Sequence, residues 1–102
     1  MNTSHARNLC KAAAAQNFDW AQYSLGFQYH IGCGVAQDDA EALRLYQLAA
    51  AQGHPTALFK VAECHERGQG VRKNKAAAIR WYRRAQAAGY PHAAAALQRL
   101  RA

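Results

Sequence analysis

The sequence predicts an all-α fold, a short solenoid in which antiparallel helix pairs stack along one axis. Alanine, the strongest helix former, makes up about a quarter of the chain, whereas the β-branched residues are sparse. A length of 102 residues allows one small domain. The third observation is an internal repeat with a period of 36 residues, because tandem copies of one helix pair are typical of a solenoid.

The repeat consists of glycine, valine and tyrosine matches in a single register, which an alanine-rich composition alone would not produce. This register assigns residues 19–54 to a first repeat and residues 55–90 to a second. Residues 1–18 then correspond to the second half of a unit, an N-terminal half-repeat or cap, and residues 91–102 to a C-terminal capping helix, so six helices are expected. The aligned pairs include Ala21 with Ala57, Gly32 with Gly68, Gly34 with Gly70, Val35 with Val71, Tyr46 with Tyr82 and Gly53 with Gly89.

The first helix of the first repeat is predicted near Trp20–Ile31. Ala21, Leu25 and Tyr29 are spaced four residues apart there and share one apolar face. The helix is expected to end at Gly32, because a residue without a Cβ atom adopts the left-handed conformation at little cost.

The second helix of this repeat is predicted to begin after Asp38, an N-cap residue, with Glu41 completing a capping box. In the second repeat Pro55 occupies the first helical position, where a missing N–H group costs nothing. Asn74 replaces the N-cap aspartate there and no acid follows it, so we expect a weaker cap. The apolar face of the second helix of the first repeat consists of Ala42, Leu43, Tyr46, Ala49 and Ala50.

The repeat motif resembles the Sel1-like repeat (SLR), a relative of the tetratricopeptide repeat. Its Gly-x-Gly-Val turn and its period, longer than the 34 residues of the tetratricopeptide repeat, favour the former. The resemblance implies a right-handed solenoid and a noncatalytic protein-binding scaffold, such as a bacterial adaptor. In the first repeat the motif reads Ala21-x3-Leu25-Gly26-x2-Tyr29-x2-Gly32-x-Gly34-Val35-x2-Asp38, then Ala42-Leu43-x2-Tyr46-x2-Ala49-x3-Gly53.

A secreted, cysteine-rich branch of the same family is linked to β-lactam binding and hydrolysis. That branch has cysteines at matching places in every repeat, whereas Cys10, Cys33 and Cys64 occupy three unrelated repeat positions. We therefore set the β-lactam-hydrolysing alternative below a scaffold. A cytoplasmic immunity-type protein that inhibits an effector enzyme is a further alternative, which would use the same surface.

The resemblance also predicts the binding surface, because the first helix of each pair lines the concave face of tetratricopeptide solenoids. Residues one step from the core-facing positions would form an aromatic wall that leads into a mixed-charge floor and binds a peptide or protein segment. In the alternative, the aromatic residues of the first repeat pack on the predicted helix at residues 4–16 or cap the end of the solenoid. The predicted surface consists of Trp20, Tyr23, Phe27, His30, Phe59, Glu63, Glu66, His92 and Arg99.

Charge is distributed unevenly along the chain. Up to His54 there are three basic and four acidic residues, and from Pro55 onward there are ten basic and two acidic residues. The first interpretation is a solvated surface that only maintains solubility. The alternative is a binding surface, for which an acidic protein partner is expected rather than a nucleic acid, because no base-reading motif occurs and aromatic residues are not expected on the basic outer face. The basic surface consists of Arg72, Lys73, Lys75, Arg80, Arg83 and Arg84.

No catalytic residue, cofactor or metal is predicted, because nucleophile-elbow, phosphate-loop and zinc-protease motifs do not occur in the sequence. A zinc site stays open as an alternative, although adjacent helical residues point about 100° apart and cannot easily share one ion. No apolar run is long enough to span a membrane, and an odd number of cysteines without an export signal predicts a cytoplasmic protein. We expect a monomer rather than a homodimer. The potential zinc ligands are His30, Cys33, Cys64 and His65.

Overall fold

The computed structural model describes residues 11–101, so most of the predicted N-terminal helix and Cys10 lie outside the described residues. Helices account for all the regular secondary structure within this range, and no strand occurs in it. The all-α class and the predicted six helices are therefore confirmed. The helices are α1 (described over residues 11–15), α2 (Asp19–Ile31), α3 (Asp39–Ala51), α4 (Pro55–Arg67), α5 (Lys75–Ala87) and α6 (Ala93–Arg101).

Consecutive helices pack against each other from α2 to α6, and the resulting body is elongated, with extents of 44 × 23 × 21 Å. Helices α2 and α3 form the first pair and α4 and α5 the second, while α6 packs on α5. One core cluster contains buried residues from α3 to α6, so the hydrophobic core continues from the first repeat through the second. This continuity is what a stacked solenoid requires, because one pair cannot bury its apolar face alone.

Small side chains at the helix contacts allow this close packing. Gly26 of α2 lies against α3, where an added Cβ atom would come within 3.0 Å of the Tyr46 ring. The equivalent residue of the second repeat, Ala62, is fully buried and fits its Cβ atom beside Ala78 and Tyr82. Ala21, Leu25 and the predicted apolar face of α3 are thus confirmed as core, whereas Tyr29 is only partly buried against it.

The helix ends follow the predictions with one exception. The Asp38 side chain accepts a hydrogen bond from the Glu41 N–H at 3.1 Å, and Asn74 caps α5 with an equally short bond of 3.0 Å. The two side-chain caps are therefore equivalent, and the N-terminal end of α5 differs from that of α3 only because its first turn contains no acidic residue. The reciprocal hydrogen bond of the predicted capping box, from the Asp38 N–H to the Glu41 side chain, was wrong. The Glu41 carboxylate binds Arg44 instead, and the Asp38 N–H donates to the Tyr29 carbonyl. That carbonyl belongs to the end of α2, where helical partners are missing.

The glycine turn of the second repeat connects the two repeats. Gly70 has a φ angle of +72°, and a Cβ atom there would lie 2.2 Å from the carbonyl oxygen of Asp39. Only glycine permits this approach of one backbone to the start of α3.

Candidate protein-binding surface

The first helices of successive units approach each other near their C-terminal ends. His30 of α2 and Glu63 of α4 line one small cavity of about 60 Å³, and Glu66 of α4 forms an ion pair with Arg99 of α6. His30 and Glu66 occupy equivalent repeat positions, and so do Glu63 and Arg99. The predicted surface residues near the ends of α2, α4 and α6 are therefore brought together across the unit boundaries.

Two of the predicted aromatic residues are largely exposed. Trp20 and Phe27 of α2 keep 54% and 39% of their surface exposed, and the Phe27 ring lies 6.5 Å from that of His30. Phe18, which the sequence analysis missed, is 47% exposed and stacks on Trp20 at 6.2 Å between ring centroids. Its position next to the start of α2, two residues from an exposed tryptophan, is the signal that could have indicated it.

Tyr23 and Phe59, two other predicted members of the aromatic wall, are half-buried. Each ring joins an aromatic cluster between helices, and the two clusters are equivalent in the repeat register. These side chains therefore build the solenoid and present only part of each ring to solvent. The contacts join Tyr23 to Tyr46 and His54, and Phe59 to Tyr82 and Tyr90, with ring centroids 4.6–5.7 Å apart.

The two carboxylates of the predicted floor have different partners. Glu63 lies 3.3 Å from Lys60 and 3.4 Å from Arg67, both on its own helix. Glu66 accepts hydrogen bonds from Arg99 of α6 and from the Tyr82 hydroxyl, the latter at 2.6 Å. Hydrogen bonding by Arg99 holds the pKa of Glu66 below its usual value, although partial burial acts in the opposite direction. Both carboxylates thus form ion pairs with basic side chains of the protein itself.

The four potential zinc ligands do not come together in one cluster. His30 Nδ1 lies 2.8 Å from the Asp39 carboxylate. Cys33 is exposed, whereas Cys64 is buried, and burial raises the pKa of the Cys64 thiol to about 11. Burial also lowers the pKa of His65. Across residues 11–101, His, Cys, Asp and Glu side chains form no cluster of three or more that could hold a metal ion.

The basic residues form two surfaces rather than one. Lys73 and Lys75 line a groove of about 520 Å³ together with residues of α4 and α6. The exposed arginines of α5 do not line this groove. The Arg84 guanidinium lies 4.4 Å above the Trp81 ring, so the expectation that this outer face lacks an aromatic side chain was wrong. Trp81 is only partly buried, so part of its ring is available to Arg84.

Two other predicted residues lie at the margins of these surfaces. His92 is exposed and contacts the Tyr90 ring edge-on at 5.7 Å, just before α6 begins. Arg72 is exposed in the loop before α5. None of the helices in the described range is both long and apolar enough to cross a bilayer.

Comparisons with known proteins agree with this architecture. A profile of the Sel1 repeat matches residues 21–54 and 55–90. The structure is similar to a Sel1 repeat protein from Oxalobacter formigenes, with 36% sequence identity and a TM-score of 0.90 over 94% of this chain and 40% of that one. It is also similar to c5321, a protective antigen of uropathogenic Escherichia coli with an SLR fold, with 34% identity and a TM-score of 0.83 over 84% of this chain and 18% of that one.

A third solved structure supports the fold alone. Cysteine rich protein B (hcpB) of Helicobacter pylori has 23% identity and a TM-score of 0.90, over 95% of this chain and 73% of that one. The chain spans less than half the length of the Oxalobacter and Escherichia proteins. No curated protein matches the sequence. The predicted solenoid fold is confirmed by these likenesses.

Proposed function

The chain belongs to the Sel1 repeat family, and from this premise we propose that it is a noncatalytic scaffold that binds a peptide or protein segment on its first helices. Sel1 repeat proteins are generally protein-interaction scaffolds, and their fold is generally noncatalytic. The observation that carries the proposal is the exposure of three large aromatic side chains, Phe18, Trp20 and Phe27, at the start and on one side of α2. Soluble domains seldom leave such a group uncovered without a binding role.

The exposed aromatic area is large enough to matter energetically. Trp20 and Phe27 together expose about 200 Å² of side chain, which corresponds to about 5 kcal/mol at about 25 cal/mol per Å². Part of the free energy gained by burying this area in an interface offsets the loss of translational and side-chain freedom on association. The remainder is what aromatic anchors contribute at the centre of known interfaces.

Capture experiments test this proposal. We expect a double variant, Trp20→Ala with Phe27→Ala, to lose a specific partner that the wild-type protein captures from native lysate, as identified by mass spectrometry. The matched control is Leu48→Ala, because Leu48 is 40% exposed on the second helix of the pair and lies outside the proposed surface. Circular dichroism should be unchanged in both. Capture of the same proteins by wild type and double variant would refute the proposal.

We extend the proposal to a monomeric cytoplasmic adaptor. The cytoplasmic location is supported by the odd number of cysteines in the sequence, by the exposed thiol of Cys33 and by the buried thiol of Cys64. Light scattering coupled to size-exclusion chromatography tests the monomer, and a dimer mass would refute it. The noncatalytic part predicts no turnover of the β-lactam nitrocefin by purified protein.

A further inference from the structure

Four cationic side chains converge on the groove between α4, α6 and the start of α5. They are Arg67, Lys73, Lys75 and Arg99, and the groove has a volume of about 520 Å³. Glu66 and Leu100 complete its lining. The sequence analysis had placed these residues in two different surfaces or in none, because they are far apart along the chain.

The positive charge of this groove is only partly compensated within residues 11–101. Arg99 is paired with Glu66, and Arg67 lies 3.4 Å from Glu63. Lys73 and Lys75 form no ion pair with a carboxylate of the described chain, and the first turn of α5 contains no acid. Lys73 and Lys75 therefore line the groove without an ion-pair partner of their own among the described residues.

The side chains at the equivalent positions of the first repeat are paired with other groups of the chain. Lys75 corresponds to Asp39, which binds His30 at 2.8 Å, and the backbone at Asp39 is covered by the turn at Gly70. Lys73 corresponds to Gln37, whose side chain donates to the His30 carbonyl. The second repeat thus replaces an internally paired arrangement with unpaired lysines. Packing of the repeat does not require this change of charge.

We propose that this groove, formed by the residues named above, binds an acidic segment of the partner protein, with its carboxylates on Lys73 and Lys75 and an apolar side chain on Leu100. The inference rests on the proposed function, since it names the chemistry of the partner. Protein is favoured over nucleic acid because Leu100 gives the groove an apolar contact for a side chain. In addition, the groove has no aromatic ring on which a base could stack.

Fluorescence anisotropy tests the groove directly. The probe is a fluorescein-labelled twelve-residue peptide that alternates Glu, Asp and Leu, and its uncharged counterpart carries Gln and Asn at the acidic positions. We expect Lys73→Glu with Lys75→Glu to weaken binding of the acidic peptide at least tenfold, or about 1.4 kcal/mol. The matched control, Arg80→Glu with Arg83→Glu, makes the same change in net charge outside the groove and should stay within about twofold of wild type.

Three results would overturn the inference. The first is that the wild-type protein binds the acidic and the uncharged peptide equally well. The second is that the two double variants weaken binding of the acidic peptide equally. The third is that a single-stranded oligonucleotide binds more tightly than the acidic peptide and loses the same affinity in the lysine variant. If circular dichroism shows that the glutamate variant does not fold, Lys73→Gln with Lys75→Gln takes its place with the same criterion.

The capture assay separates failure of this inference from failure of the proposed function. A partner that is lost with the Trp20 and Phe27 double variant but retained by the lysine variant would refute the groove and leave the scaffold standing. A partner retained by both variants would refute both. Loss with both variants, together with the peptide result, supports both proposals.

Discussion

Replacing Tyr82 with phenylalanine should destabilise the protein, whereas the same change at the repeat-equivalent Tyr46 should not. Both residues are buried, at 0% and 2% exposure, and their rings fill the same space between the two helices of a pair. Their hydroxyl groups differ. The Tyr82 hydroxyl donates to Glu66 at 2.6 Å, while the Tyr46 hydroxyl is buried without a hydrogen-bond partner among residues 11–101.

The magnitudes follow from this difference. A hydrogen bond to a charged group contributes about 1.5–3 kcal/mol, so Tyr82→Phe should lower the free energy of unfolding by about 2 kcal/mol. In a domain of this size that corresponds to a fall in Tm of about 8–16 °C. The Tyr46 hydroxyl makes no such bond to a charged group among residues 11–101, so Tyr46→Phe should change the free energy of unfolding by no more than about 1 kcal/mol.

Urea and thermal unfolding followed by circular dichroism at 222 nm measure both variants. A double-mutant cycle with Glu66→Gln isolates the pairwise term, and we expect the effect of Tyr82→Phe to shrink in that background. Equal destabilisation by the two tyrosine substitutions would refute the reasoning, since ring packing rather than the hydroxyl partner would then account for the loss.

Three further predictions concern the repeat junction, acid stability and thiol reactivity. Gly70→Ala should cost several kcal/mol more than Gly53→Ala in urea unfolding, because both positions have a positive φ angle but only Gly70 has backbone atoms in the way; equal costs would contradict this. The pKa of Glu66 is held below its ordinary value of 4.5, so its contribution to stability is present above that pH and is lost as the pH falls through the folded-state pKa. Tm measured against pH should therefore decline less steeply below pH 4.5 in Glu66→Gln, and parallel declines would contradict this. Iodoacetamide should alkylate the exposed Cys33 at least about tenfold faster than the buried Cys64, as measured by peptide mass mapping, because burial suppresses both access and the thiolate; equal rates would contradict it.

The candidate site shows where sequence reasoning stopped. Trp20 and Phe27 were predicted to be exposed and are exposed, because each lies on the side of α2 away from its apolar face. Tyr23, in the same register, turned out to be half-buried, since its ring meets that of His54, the N-cap residue of α4. Sequence spacing along one helix does not indicate which neighbouring helix covers a given side chain.

Local interactions made most of the fold predictable from the amino-acid sequence alone. The apolar period, the N-caps at Asp38 and Asn74, and the glycine turns act within a few residues of the chain, so each helix and its core face could be derived without tertiary information. The 36-residue repeat then required the pairs to stack, because a single pair leaves its apolar face uncovered.

Only the tertiary structure decided which polar side chains meet across the unit boundaries. Glu66 and Arg99 are 33 residues apart, and their pairing depends on the rotation and separation between α4 and α6. The same geometry brings Lys73 and Lys75 to the groove beside them. Rotation between units is set by the sum of many side-chain contacts, and a periodic pattern carries no information about that sum.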